Sequence, residues 1–175
     1  MTTIEGLKTS LRQGESETVE FKETLDNEAL ESIAAFANTR GGMLFIGISD
    51  DATVWGITLG KETLQEWANH IAQATHLHPH MGSLPYEDKT VVIVAVSEGP
   101  LKPVPCRGRY FKRVGKSTRQ MNDDDLARAV LEKVGMTWGS QTWASFHTPQ
   151  PPDHRSSSKS SNHRNTLLRN LYEDH

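Results

Sequence analysis

Polar and apolar residues alternate in TVEFKE, putting Val19 and Phe21 on one face of an extended segment and Glu20 and Lys22 on the other. The run predicts a strand with one buried face. In DNEALESIAAFANT the spacing lengthens, and Leu30, Ile33, Ala34 and Ala37 join Phe36 in an apolar stripe. That is a helix capped near Asp26 and ended before Arg40, Gly41 and Gly42. MLFIGI is apolar throughout, as a central strand covered on both sides should be. TVWGI follows as a hairpin partner across the turn at 49–52. A second amphipathic helix is predicted in KETLQEWANHIAQATH through Leu64, Trp67, Ala68 and Ile71. SLPYE and TVVIVAVSE read as strands joined at Asp88 and Lys89, and GRYFKRVG as another. NDDDLARAVLEKVG reads as a last helix, capped by Asn122 and closed by Gly135. Elements in mixed order with short connections predict an α+β domain, a mixed sheet with flanking helices.

From Thr137 onward Ser, Pro, His and Asn dominate, as in HTPQPPDHRSSSKSSNHRN, and periodicity is lost. The chain therefore divides into an N-terminal extension (1–13), a domain (14–136) and a C-terminal tail (137–175) expected to be disordered. Leu167, Leu168 and Leu171 near the end have helical spacing, but that segment is too short to form a stable helix alone. At 175 residues and 35% hydrophobic content one core is affordable. A net charge of −3 argues against a uniformly basic polyanion binder, so any such role must rest on local charge. The single cysteine, Cys106, excludes an intrachain disulfide and a multi-cysteine zinc site, and fits a reducing cytoplasm. No signal region and no apolar run near the roughly 20 residues of a membrane helix occur, so no membrane partner is expected.

Candidate chemistry lies in two places. The stretch GESETVEFKETLDNEALESIAAFANTRGGMLFIGISDD opens and closes on acids. If its ends meet, carboxylates converge; otherwise they are solvated strand ends. Glu15 and Glu20 are an odd number apart, so an extended strand would put them on opposite faces. Their convergence requires a bend near 15–17, with Glu17 the competing residue. The second place is basic: Lys102, Arg107, Arg109, Lys112, Arg113, Lys116 and Arg119 occur with no intervening acid, interleaved with Tyr110 and Phe111. Contact with about five phosphates would give a salt slope of about −4 to −5 on duplex DNA. Alternation separates Arg109, Phe111 and Arg113 from Tyr110, Lys112 and Val114. Gly115 with Ser117 and Thr118 is expected to form a tight turn offering N–H groups to an anion. His76, His78 and His80 are better explained as a loop than as metal ligands. Cys106 beside Arg107 invites a lowered pKa but has no triad. Gly41-Gly42 lacks the phosphate-loop pattern and reads as a turn.

ESETVEFKE, IAAFANTRGGMLFIGISDD with the following WGI, VVIVAVSEGPLKPV and GRYFKRVGKSTRQMNDDDL occur in one order with suitable gaps. Together they resemble the Schlafen-type AlbA_2 domain, also labelled a divergent AAA-4 domain, from about Glu15 to Val134. The resemblance implies an α+β fold and association with RNA or DNA. In many prokaryotic proteins the domain resembles a module of transcriptional regulators. In Schlafen nucleases it carries an acidic, divalent-metal site that cuts structured RNA. Carried over by motif, that site falls on Glu15, Glu20 and Asp50 as ligands of Mg2+ or Mn2+, with Lys22 beside them and Asp51 the alternate to Asp50. Such hard oxygen ligands suit those ions. Since relatives pair two lobes in one chain, a homodimer is expected here. The readings left by the sequence are a nucleic-acid-binding domain, an endoribonuclease and a protein-interaction module.

Overall fold

The computed structural model describes residues 4–138, with side chains through residue 131. Within them the order is α1 (Ile4–Gln13), β1 (Val19–Lys22), α2 (Asn27–Asn38), β2 (Gly42–Ile46), α3 (Thr63–Thr75), β3 (His80–Tyr86), β4 (Lys89–Val96), β5 (Pro105–Cys106), β6 (Arg109–Val114), β7 (Ser117–Gln120) and α4 (Asp123–Trp138). The α+β class and mixed sheet expected from the chain are the ones found. One sheet runs β1-β2-β4-β3, with β1 and β2 parallel and the other pairs antiparallel. A smaller antiparallel sheet runs β5-β6-β7.

Alternation distributes the side chains between two cores. Leu44, Ile46, Val92, Val94 and Val96 cluster with residues of α2 and α3, whereas Phe45, Val91 and Ile93 cluster with Phe21 and with Leu7 of α1. MLFIGI is apolar throughout because both of its faces are covered. The segment before residue 14, read as an extension, forms α1 and contributes the fully buried Leu7. Phe21 and Phe45, paired across β1 and β2, hold their rings tilted by 57° at a centroid separation of 6.0 Å.

Helix α2 lies between the two sheets, which explains why its buried surface is wider than one stripe and includes Ser32, Ala35 and Phe36. Asp26 caps it by accepting the Ala29 N–H at 2.8 Å. The turn after it demands both glycines. Gly41 has φ +75°, and a Cβ there would sit 2.6 Å from the Val96 carbonyl oxygen; a Cβ on Gly42 would sit 2.5 Å from the Phe36 ring.

Two expectations are corrected. TVWGI forms no strand, only an isolated bridge between Ile48 and Val54, because Trp55 and Gly56 N–H groups turn back onto the Gly47 carbonyl at 2.8 Å. Gly135 does not close α4, which continues to Trp138. GRYFKRVG forms the expected strand, β6, with the short β5 and β7 beside it. Asn122 does cap α4, accepting from Asp125 N–H at 2.8 Å while the Asp125 carboxylate accepts from Asn122 N–H at 3.3 Å. Among the described residues no helix is long and apolar enough to cross a membrane. Of the expected tail (137–175), residues 137 and 138 belong to α4, and the rest, with Leu167, Leu168 and Leu171, lies outside the described residues.

Candidate functional site

The bend required at 15–17 is present. Gly14 takes φ +75°, the Ser16 N–H donates to the Val19 carbonyl at 2.9 Å, and Glu15 folds back along β1 to accept the Phe21 N–H at 3.1 Å. Glu17 goes elsewhere, 3.6 Å from Arg40. β1 is an edge strand, so the Glu15 carboxylate supplies an acceptor that a neighbouring strand would otherwise give. At the other end of the stretch Asp51 serves its own loop, accepting from Ser49 Oγ and, at 3.0 Å, from Thr53 N–H. Asp50 is the member of the pair that reaches β1, with its carboxylate 3.8 Å from Lys22 Nζ.

Lys22 is the centre of this group. Its ammonium lies 3.5 Å from Glu20, 3.7 Å from Glu28 and 3.8 Å from Asp50, on a side chain only 15% exposed. Burial works to lower the Lys22 pKa and is outweighed by Glu20, Asp50, Glu28 and Glu15, which together raise it. Burial pushes the Glu15 carboxyl up, as do Glu20 and Asp50, while the Phe21 N–H and Lys22 pull it down. Glu28 was not anticipated as a member; its signal was its place in the first turn after the Asp26 cap, where an acid also complements the helix dipole. Above Lys22 opens a cleft of about 520 Å³ between the β1–α2 connection and the first turn of α2, with Glu23, Asp26 and Glu28, and the loop after β2, with Asp50, Asp51 and Trp55.

This arrangement as it stands does not fit a resident divalent ion. Among the described residues no three His, Cys, Asp or Glu side chains converge as a ligand set, and the position between the carboxylates already has the Lys22 ammonium as its cation. Lys22→Met is expected to raise the Glu15 pKa further, because one downward influence is removed; carboxyl-detected NMR titration measures this, and an unchanged Glu15 would show that Lys22 does not act on it. Since the folded pKa of Lys22 is above its ordinary 10.5, its contribution to stability is fully present below that pH and lost as pH climbs through the folded value. Lys22→Met should therefore lose less stability than the wild type on alkaline titration.

Behind Lys22, Glu20 turns into the protein. It is 7% exposed, its Oε1 accepts from Ser32 Oγ at 3.4 Å, and its Oε2 lies 2.7 Å from Nη1 of Arg113, whose side chain is fully buried. The contact is an ion pair set off the hydrogen-bond line, so Glu20 Oε2 accepts no directed hydrogen bond; Arg113 Nε is likewise without a hydrogen-bond partner. The rest of the guanidinium is well held: Nη1 donates to Thr118 Oγ1 at 2.9 Å, Nη2 to the Ser16 and Lys116 carbonyls at 2.7 and 2.9 Å, and its carbon stands 4.9 Å above the Phe36 ring. Arg113 is thus corrected from a surface contact to an internal one. The expected anion-binding turn is a two-residue hairpin of Gly115 and Lys116; Ser117 and Thr118 belong to β7, and Thr118 serves Arg113.

The other basic candidates divide. Lys102 donates to Glu98 at 2.6 Å and to the Thr39 carbonyl at 2.9 Å, and Lys112 to Asp125 at 2.6 Å, so both are engaged in the fold. Arg107, Arg109, Lys116 and Arg119 are exposed and form no ion pair within the described residues. Arg119 lies directly across from Lys112 on the outer face of the small sheet. Burial, with Glu31 adding to it, pushes the Cys106 thiol up despite Arg107 and Arg109, the reverse of the lowered pKa expected of a nucleophile. Of the histidines, His76 caps α3 in the left-handed region and His80 begins β3.

Residues 15–122, more than half of the chain, match the family model described as Schlafen, AlbA_2. No curated protein matches the chain. Among solved structures, the DIP2311 protein of Corynebacterium diphtheriae is similar with a TM-score of 0.51 at 22% identity, over 61% of this chain and 22% of that one, so this chain spans about a fifth of that protein's length. The N-terminal domain of a Nitrosomonas europaea protein described as related to the ATP-dependent DNA helicase RecG is similar with a TM-score of 0.50 at 24% identity, over 70% of this chain and 95% of that domain. At these identities the likeness is one of fold. The family match runs from the Glu15 turn through the β6–β7 hairpin, the same span in which α2 joins the acidic group to Arg113, and by that match the chain belongs to the Schlafen AlbA_2 family.

Proposed function

We propose that the domain binds nucleic acid through the backbone phosphates, using Arg107, Arg109, Lys116 and Arg119. The observation that carries this is a contrast within one short segment: Arg113, Lys112 and Lys102 are each paired with a carboxylate of the fold, whereas these four cations are exposed and have no ion-pair partner among the described residues. Family membership supports the same reading. Four phosphate contacts imply a salt slope of about −3 to −4 on duplex DNA, shallower than all seven basic residues would give.

A metal-dependent RNA endonuclease is the second reading, favoured by the approach of Glu15, Glu20 and Asp50 to a common neighbour in Lys22. Against it stand the Lys22 ammonium at the centre and the engagement of Glu20 by Arg113. One experiment separates them. Structured tRNA and duplex DNA of similar length are incubated with the protein in Mg2+, Mn2+ or EDTA, and cleavage and salt-dependent retention are read together. The expected result is retention in EDTA that falls with salt and weakens several-fold in Arg109→Glu with Arg119→Glu, without cutting. Cleavage that needs the metal and is lost in Asp50→Asn would establish the nuclease instead. Neither retention nor cleavage would leave the protein-interaction reading.

A further inference from the structure

The β5–β6 hairpin carries an arginine where its turn favours asparagine or glycine. Cys106 and Arg109 pair across a two-residue loop in which both Arg107, at φ +49°, and Gly108, at φ +78°, lie in the left-handed region. Such turns favour Asn-Gly, since a long side chain at the first position gains nothing from that conformation. Here the side chain is held as well as the backbone. The Arg107 N–H donates to the Ala74 carbonyl at the end of α3 at 2.9 Å, its Nη1 donates to Asn27 Oδ1 on α2, and its Nη2 lies 3.0 Å from His70 Nε2 on α3. Two helices, α2 and α3, thus fix one exposed guanidinium, and α3 also anchors the backbone behind it. Two of its five N–H donors are used in these side-chain contacts, leaving the others for an outside acceptor.

Arg107 and Arg109 flank a small notch of about 70 Å³, closed by Asn27, Glu31 and Cys106. Two guanidiniums face one carboxylate there, so the notch is net positive. Its cations are on the α2 side of the small sheet, whereas Lys112 and Arg119 are on the outer face, so one bound phosphate cannot use both sets.

We propose that this notch is a preorganised subsite for a single phosphate oxyanion, contacted by Arg107 and Arg109, and that it fixes one backbone phosphodiester of the nucleic acid. The last clause rests on the nucleic-acid reading above; the oxyanion site does not. Pinning the guanidinium in advance removes the ordering cost that a free arginine meets on binding. Glu31 sets the limit of affinity, keeping a lone phosphate weakly bound unless neighbouring contacts support it.

The test is an NMR titration of the full chain with inorganic phosphate and, separately, with a dinucleotide whose only phosphate is the internal diester. Saturable shifts are expected at the Gly108 and Arg109 amides and the His70 ring. They should be lost in Arg107→Asn, which keeps a favoured turn and hence the fold, and persist in Lys116→Gln. In the retention assay Arg107→Asn should lower the salt slope by about one unit. No saturable shift in the wild type, or the same shift in Arg107→Asn, overturns the site. Shifts with inorganic phosphate alone leave an oxyanion site and overturn its assignment to the backbone. Retained tRNA or DNA with no shift at the notch overturns the subsite while the nucleic-acid reading stands.

Discussion

Arg113→Ala should cost about 3–5 kcal/mol of stability, a large share of what a domain of this size has. The guanidinium is the meeting point of two layers. It comes from β6 and ends against Glu20 of β1, the Ser16 carbonyl before it, and the Phe36 ring of α2. Truncation leaves a carboxylate that is 7% exposed with Ser32 and the more distant Lys22 as its remaining partners, and strands the carbonyls of Ser16 and Lys116. Lys22, at 3.5 Å, partly compensates and moves the expectation toward the lower end of that range. Urea unfolding of Arg113→Ala and of the double variant Glu20→Leu with Arg113→Met checks the cause. Removing both charges with apolar groups should recover much of the loss, since the penalty lies in the unpaired charge rather than in the lost attraction. An Arg113→Ala midpoint within about 0.5 kcal/mol of the wild type would sink the account. The same reasoning makes Glu20→Ala a test of folding before it is a test of chemistry.

Much of this was legible in the chain, and the exceptions have physical reasons. The β1 and α2 periods, the Asp26 and Asn122 caps and the two-sided apolar β2 are local patterns, and local patterns survive into the fold. The bend before β1 followed from parity only once the resemblance had put Glu15 and Glu20 in one site; without it Glu17 was the competing residue. Arg113 was harder. Alternation placed it correctly with Phe111, yet whether that face met solvent or α2 depended on a second sheet whose strands β5 and β7 are too short to show a period. Lys22 was placed on the right face beside Glu20, but its three carboxylate neighbours come from β1, α2 and the loop after β2. No spacing in sequence encodes that convergence. Helix α1 was missed although Ile4, Leu7 and Leu11 stand at helical spacing, because three apolar residues among polar neighbours in one short terminal segment were read as an extension.

Asn38→Ala should cost about 2–4 kcal/mol, and its effect should fall unevenly across the domain. Asn38 ends α2, yet its amide works for the small sheet: Nδ2 donates to the Val104 carbonyl at 2.8 Å and to the Phe111 carbonyl at 2.9 Å, while Oδ1 accepts the Val104 N–H at 2.6 Å. Three backbone groups of a partly buried junction lose their partner at once, at about 1–3 kcal/mol for each that water cannot reach. Asn38→Asp separates donor from acceptor, since a carboxylate still accepts from Val104 but faces the two carbonyls with no proton to give. It should therefore be at least as damaging as alanine, although it is nearly the same shape. Because β1, β2, β4 and β3 are tied by their own ladder, hydrogen exchange in Asn38→Ala should speed up most at Val104, Phe111 and their β-sheet neighbours, and least in β2 and β4. Uniform acceleration across both sheets would show that they unfold as one unit and that Asn38 is no separate tether. Selective loosening would mean that Arg107, Arg109, Lys116 and Arg119 are carried on a layer whose hold on α2 depends on Asn38 as well as on apolar packing and the Arg113–Phe36 contact, so nucleic-acid retention in Asn38→Ala should fall without any loss of exposed charge.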